Sequence, residues 1–309
     1  MLKPISRILN SLLLLVFIGA WGNILYHVKS APRPAPMTTI DLVPTAVRVP
    51  TSPVVPTSTV IPTPQTVHNL AATVEAGIPD GKWSQVQPGL ERRVIPIYNS
   101  QNQQVESMYV WRLDQKYFRL DVAFAERPKT LETWQAETNA AMVVNGGYFS
   151  INNERYSADG LSIINGQASG RSFNGYGGML AVDQFGAEVR WLVQEPYNAS
   201  EPLHAALQAF PILVQPGGEL GFPASRENYA RARRTVIAQD RDGRIFLIVT
   251  PDGYFTLHQL SLYLTESDLD LDVALNLDGG GSTGILVANP REIIAPRVLL
   301  PFVVLVHTR

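Results

Sequence analysis

The chain has 309 residues, 45% of them hydrophobic, and a formal net charge of −2. At about 100–200 residues per domain, that length fits one large domain or two small ones. The near-neutral charge, with no basic stripe, excludes nucleic acid as a partner, and the absence of cysteine removes disulfides, thiolate zinc sites and cysteine nucleophiles.

An apolar stretch from Ile8 to Val28 opens the chain, densest over Leu12–Ile18. At about 1.5 Å rise per residue a helix there is roughly 31 Å long, enough for one bilayer crossing. Lys3 and Arg7 precede it and favour a cytoplasmic N-terminus, although Lys29 and Arg33 on the other side weaken the bias. The expectation is a membrane anchor over residues 1–30. Ala20-Trp21-Gly22 leaves a cleaved signal peptide as the alternative. Residues 31–80 form a Pro/Thr-rich linker, as in Val49-Pro-Thr-Ser-Pro-Val-Val-Pro56. Proline locks φ and lacks an amide donor, so this segment reads as an extended spacer holding the domain at 81–309 away from the membrane.

Within the domain, strands are expected at 94–98, 106–112 and 117–124, before a short helix at Thr130–Asn139. Further strands follow at 141–144, 161–164, 178–182 and 188–193, with a second short helix at Leu203–Ala209. Strands at 212–214, 235–239 and 244–249 come next, then a helix at Thr256–Thr265 with Leu257, Leu260 and Leu264 at helical spacing. Strands at 273–277, 284–287 and 298–306 complete the chain. The class is therefore α+β, with mixed β-sheets and a few covering helices. The part before Lys116 reads as an added strand layer.

The residues able to carry chemistry cluster at junctions between strands and glycines. Asp278 follows the apolar run Val273-Ala-Leu-Asn-Leu277 and precedes Gly279, Gly280 and Gly281. Glycines allow positive φ and close approach of a ligand, and their amides can form an anion-binding nest. Ser282 and Thr283 add hydroxyl groups; a tight turn is the plainer reading. Gly280-Gly-Ser-Thr-Gly284 also matches the G-x-S-x-G serine elbow. That motif needs a helix after the serine, then an acid and a histidine. A strand is expected here instead, with only Glu292 and His307 downstream. A Walker A loop fails too, because Gly281 stands where lysine is required.

Asn145-Gly-Gly-Tyr-Phe149 is a second strand–glycine junction, which alone reads most simply as a hairpin turn. Arg234, entering the strand that begins at Thr235, can grip a phosphate bidentately, or belong to a solvated basic loop with Arg231 and Arg233. Asp159 and Asp252 are further carboxylates beside loop glycines. The five histidines show no metal-binding spacing.

Taken in order, five segments resemble the phosphodiester glycosidase family: Asn145–Phe149, Asp159-Gly-Leu-Ser-Ile-Ile-Asn-Gly166, Ala206–Val214, Arg234-Thr235 and Ala274–Thr283. The similarity runs from about Arg119 to Val306. One departure is Ala238, where the family usually has glycine. The resemblance implies an extracytoplasmic hydrolase, at the cell surface or in the periplasm, that cleaves glycosidic bonds of sugar-1-phosphodiesters in envelope or exopolysaccharide glycans. A non-catalytic glycan-binding module is the opposing reading. Asp278, Asn145 and Arg234 are the expected catalytic residues. Gly146, Gly147, Asp159, Thr235, Asp252, Asn276, Gly279, Gly280, Gly281, Ser282 and Thr283 are the expected substrate contacts. No cofactor is called for; a divalent cation at Asp278 is compatible with the residues, but no spacing demands it.

Overall fold

The computed structural model describes residues 81–153, 155–172 and 177–309. The expected anchor and Pro/Thr-rich linker lie outside the described residues. Among the described residues no helix is long and apolar enough to cross a membrane.

Among the described residues the fold is mostly β-sheet, with two α-helices. Every strand pair among the described residues that shares hydrogen bonds is antiparallel. The largest sheet has eight strands, in the order Ser84–Gln87, Leu90–Tyr98, Gln104–Leu113, Ile245–Thr250, Arg234–Asp240, Leu271–Asn276, Ile212–Gln215 and Glu219–Leu220. A five-stranded sheet runs Ala187–Trp191, Gly178–Val182, Ala205–Ala209, Ser162–Ile164 and Gln167–Ser169. A second one runs Glu292–Ile294, Ile285–Val287, Met142–Asn145, Leu300–Thr308 and Phe118–Lys129. Phe149–Asn152 and Arg155–Ala158 pair as a separate hairpin.

Side chains alternate across a strand, and in the large sheet both faces are covered. All six residues of Ile245–Thr250 are buried for this reason. Ile245, Leu247 and Val249 enter a central core shared by all three large sheets, where they meet Leu180 and Leu207 of one and Val144 and Val304 of the other. Phe246 and Ile248 face the opposite way, against helix α2 (Leu257–Glu266), whose Leu260, Tyr263 and Leu264 cover that face. Thr256 caps α2 and forms a capping box with Gln259. Helix α1 (Leu131–Thr138) starts at the Thr130 cap and ends at Asn139 in the left-handed region. Its Leu131 and Trp134 cover Val143 and Leu286, and the Trp134 indole donates to the Leu300 carbonyl at 2.8 Å.

Three expectations change. The helix at Leu203–Ala209 is instead the strand Ala205–Ala209, central in its sheet and buried along its whole length. An apolar run covered on both faces carries no period by which to separate strand from helix. The segment before Lys116 is not a separate layer. Its strands extend the large sheet, Gln104–Leu113 pairing with Ile245–Thr250. Asn145 is not a hairpin turn either: it ends a strand, and the Gly146 amide bonds the Phe302 carbonyl at 2.9 Å.

Candidate active site

Three chain segments meet where their strands end. Val236 pairs with Asn276, and the Leu277 amide reaches the Thr235 carbonyl at 2.9 Å. The Asp278 amide then bonds the Gly146 carbonyl at 3.1 Å. Asn145 ties the junction together. Its Nδ2 donates to the Asp278 carbonyl (2.7 Å), and its Oδ1 accepts from Thr235 Oγ1 (2.8 Å) and the Gly284 amide (3.0 Å). Asn145 is 1% exposed. A buried side-chain amide with its polar atoms so engaged holds backbone in place, so Asn145 positions the site rather than reacting in it.

The neighbouring glycines are also structural. A Cβ on Gly146 would stand 3.1 Å from the Phe302–Val303 backbone, and one on Gly147 3.0 Å from the Gln208 carbonyl. Both residues are buried, so they serve close packing rather than substrate contact. Thr235 and Thr283 are fully buried as well.

Beyond that junction the chain turns through Gly279–Gly281. The Gly279 amide donates to Asp278 Oδ1 (2.8 Å), and the Gly280 amide to the Arg233 carbonyl (2.8 Å). Two of the three amides expected to form an anion nest are therefore engaged inside the protein. Gly280 has φ +59° and faces open space, whereas a Cβ on Gly279 would stand 2.8 Å from the Arg233 carbonyl. The loop is a flat floor laid on the Arg233 backbone.

Asp278 is half-buried at the start of this floor. Burial raises its pKa above the ordinary carboxylate value; hydrogen bonds from Ser282 and the Gly279 amide oppose that, and the charge of Asp159 adds to the rise. Asp159 is thus the second carboxylate of the site. Its amide bonds the Tyr148 carbonyl (2.8 Å), and its Oδ1 accepts from Ser150 Oγ (2.6 Å). Asp252 is not brought to Asp278. Its loop folds onto buried Glu106, whose carboxylate accepts the amides of Asp252 (2.9 Å), Gly253 (2.9 Å) and Tyr254 (3.1 Å).

Arg234 is 9% exposed. Its Nη2 donates to the Ala230 carbonyl (2.7 Å) and its Nε to the Phe255 carbonyl (3.3 Å). It forms no ion pair among the described residues. Tyr148 links this cation to Asp278, since the charges of both bear on its phenol. Burial pushes that phenol well above its ordinary pKa, so it stays protonated and donates to the Phe210 carbonyl at 2.8 Å. The Tyr148 and Phe210 rings stack with centroids 4.6 Å apart. Asn276 is buried beneath them, its Nδ2 reaching Tyr148 Oη (2.7 Å) and the Phe210 carbonyl (3.0 Å). Among the described residues no three carboxylates or histidines are arranged to hold a metal ion.

This arrangement joins two carboxylates, a buried cation and a stacked aromatic pair over a glycine floor. The model of the phosphodiester glycosidase family matches residues 138–299, more than half of the chain. The chain belongs to that family. This family member is similar in structure to the catalytic domain of zebrafish N-acetylglucosamine-1-phosphodiester alpha-N-acetylglucosaminidase, auto-inhibited by its pro-peptide. The TM-score is 0.57 at 17% identity, covering 73% of this chain and 86% of that one. It is also similar to a hypothetical protein from Synechocystis, with TM-score 0.53 at 15% identity, covering 76% of this chain and 65% of that one. At such identities these two likenesses establish the fold. No curated protein sequence matches.

Of the residues named from the sequence of this phosphodiester glycosidase domain, Ser282 and Asp159 act on Asp278, and Asp278 and Arg234 both act on Tyr148. Sequence reasoning misses Tyr148 and Phe210. Both lie inside the quoted motifs, and the signal available was an aromatic residue beside glycines or proline, where a ring has little reason to be core. The serine-elbow reading loses its footing here. Ile285–Val287 is a strand where the motif needs a helix, and His307 sits on Leu300–Thr308 among Arg119 and Asp121.

Proposed function

We propose that the domain hydrolyses the bond between a sugar's anomeric carbon and a phosphate, in sugar-1-phosphodiesters of envelope or exopolysaccharide glycans. The observation that carries this reading is Arg234, a nearly buried guanidinium without an ion pair, linked through Tyr148 to Asp278. Two carbonyls and the more distant charge of Glu227 compensate this desolvated cation only in part, and a phosphodiester is an anion of matching geometry.

In this scheme the phosphate rests against Arg234, and the sugar ring lies along the exposed face of Phe210. Asp278 is the carboxyl that holds its proton to higher pH, because burial and the charge of Asp159 outweigh Ser282 and the Gly279 amide, which favour its ionised form. Asp159 is the general base. A water molecule attacks the anomeric carbon and gives its proton to Asp159. The bond from that carbon to the phosphate oxygen breaks, its electron pair stays on the oxygen, and Asp278 supplies the proton. Arg234 stabilises the charge growing on the departing phosphate. The products are a free sugar and a phosphomonoester.

The apolar stretch at residues 8–28 and the proline-rich spacer support a tethered enzyme acting outside the cytoplasm. The test of the activity is release of sugar from an α-N-acetylglucosaminyl phosphodiester and related sugar-1-phosphodiesters by the purified chain. Asp278→Asn abolishes the release, and Arg234→Lys lowers kcat/KM by about 100-fold, as removal of one preorganised donor does. Binding of the glycan without turnover of any such diester overturns the proposal.

A further inference from the structure

Arg233 and Arg234 are adjacent, yet their side chains part. Arg234 goes to Ala230 and Phe255, on the flank shared with Tyr148. Arg233 goes to the 295–297 segment, where its Nη2 donates to the Ala295 carbonyl at 3.0 Å. Arg297 stands two residues further along, and its amide bonds the Gly281 carbonyl at 2.7 Å. The Gly280 amide bonds the Arg233 carbonyl, so the backbones of both arginines hold the glycine loop.

Neither guanidinium forms an ion pair among the described residues. Arg233 is only 7% exposed, forms no ion pair among the described residues, and has a buried Nε with no partner. Arg297 is exposed, and its side chain makes no hydrogen bond or ion pair among the described residues. Burial and the charge of Arg297 both disfavour the charged form of Arg233, while Asp252 and Glu106 favour it from beyond ion-pair distance. Two like charges held together around a buried, unpaired donor are unfavourable unless an anion lies between them.

We propose that Arg233 and Arg297 form a second anion subsite, which takes the neighbouring phosphate of a substrate chain that carries more than one phosphodiester. The proposal rests on the glycosidase reading of the site and narrows it. The substrate class becomes a polymer of repeating sugar phosphates, laid across Gly280 with the scissile phosphate at Arg234 and the next one at Arg297. Gly280 suits the crossing because it faces open space and carries no side chain to obstruct it.

Titration calorimetry on the Asp278→Asn chain tests this with two synthetic probes, a sugar flanked by one phosphodiester and its homologue flanked by two. The expected result is about tenfold tighter binding of the two-phosphate probe, the worth of one added charge-assisted contact, and a decline of that margin with added salt. Arg297→Gln brings the two affinities together. Arg291→Gln, an equal loss of charge on an exposed arginine of the neighbouring hairpin, preserves the margin. Equal affinities in the parent chain, or a margin that survives both Arg297→Gln and Arg233→Gln, overturn the subsite and leave the glycosidase reading standing. Failure of either probe to bind overturns both.

Discussion

Ser282→Ala separates a carboxylate mechanism from a serine one. Ser282 is 5% exposed, and its hydroxyl acts on the Asp278 carboxyl to lower its pKa. Burial and the charge of Asp159 hold that carboxyl above its ordinary pKa, while Ser282 and the Gly279 amide pull it down. Removing the hydroxyl takes away one of these two opposing bonds, so Asp278 keeps its proton to higher pH. A hydrogen bond to a charged acceptor contributes about 1.5–3 kcal/mol, and the half-exposed setting of Asp278 places it at or below the lower end. The assay is kcat/KM on a sugar-1-phosphodiester as a function of pH, which reports the free enzyme's acid and base. If Asp278 is the acid, activity is lost as pH rises through its folded pKa. The variant then moves the alkaline limb to higher pH and changes the plateau by less than about threefold. An unmoved limb, or one displaced to lower pH, refutes the assignment of Asp278. Loss of turnover as complete as that of Asp278→Asn refutes the mechanism itself and places the nucleophile at Ser282.

Asn145→Ala removes three buried hydrogen bonds and lowers stability by about 3 kcal/mol, read as a lower urea midpoint with an unchanged slope; a cost below about 1 kcal/mol contradicts its role as the junction's tie. Gly279→Ala puts a Cβ 2.8 Å from the Arg233 carbonyl. It costs about 1–3 kcal/mol and at least tenfold in turnover, and wild-type kinetics in that variant would show that the floor does not set the position of Asp278. Glu227 accepts the amides of Asn228, Tyr229 and His258. Burial acts to raise its pKa, but these bonds and one from Thr256 outweigh burial and hold it below the ordinary carboxylate value. Its contribution to stability is therefore full above the unfolded-state pKa and disappears as pH falls through the lower, folded-state value. Glu227→Gln flattens the acid side of the stability curve, and an identical acid slope in the variant counts against the linkage.

Much of the β-architecture is legible because turn residues punctuate it. Thr130 and Thr256 mark helix starts as capping residues should, and Asn139 marks a helix end. The missed elements have physical reasons. Ala205–Ala209 is apolar on both faces, and Phe149–Asn152 with Arg155–Ala158 is a largely exposed hairpin without a hydrophobic alternation to reveal it. The site is legible as a set of segments but not as a division of labour. Asn145, Thr235 and Thr283 look like functional polar residues, yet each is buried, and Asn145 and Thr235 hydrogen-bond each other. Tyr148 and Phe210 stand beside glycine and proline in the sequence, and only the fold shows that their rings stack. A one-dimensional motif does not distinguish a side chain that holds the backbone from one that faces the cleft.

The adjacent arginines sharpen that point. In the sequence Arg233 and Arg234 are equivalent; in the fold they belong to different flanks, and strand register alone separates them. Arg234 pairs with Thr250, and Val236, two residues on, with Asn276; Arg234 and Asn276 therefore share the face that Tyr148 reaches. A slip of one residue would exchange the two arginines and swap the residues that face the two cores. The Thr235–Asn145 hydrogen bond and the Leu277 amide on the Thr235 carbonyl pin that register at the end where it matters. Thr235→Val keeps the shape and removes the side-chain tie, leaving Asn145 Oδ1 with the Gly284 amide as its remaining partner. The expected cost is about 1 kcal/mol in stability, within the range for one buried hydrogen bond. The larger effect is expected in kcat/KM, because the strand that aims Arg234 loses its lock. A variant destabilised to that degree with unchanged kcat/KM would show that the remaining backbone bonds suffice to aim Arg234, and that Asn145 serves stability alone.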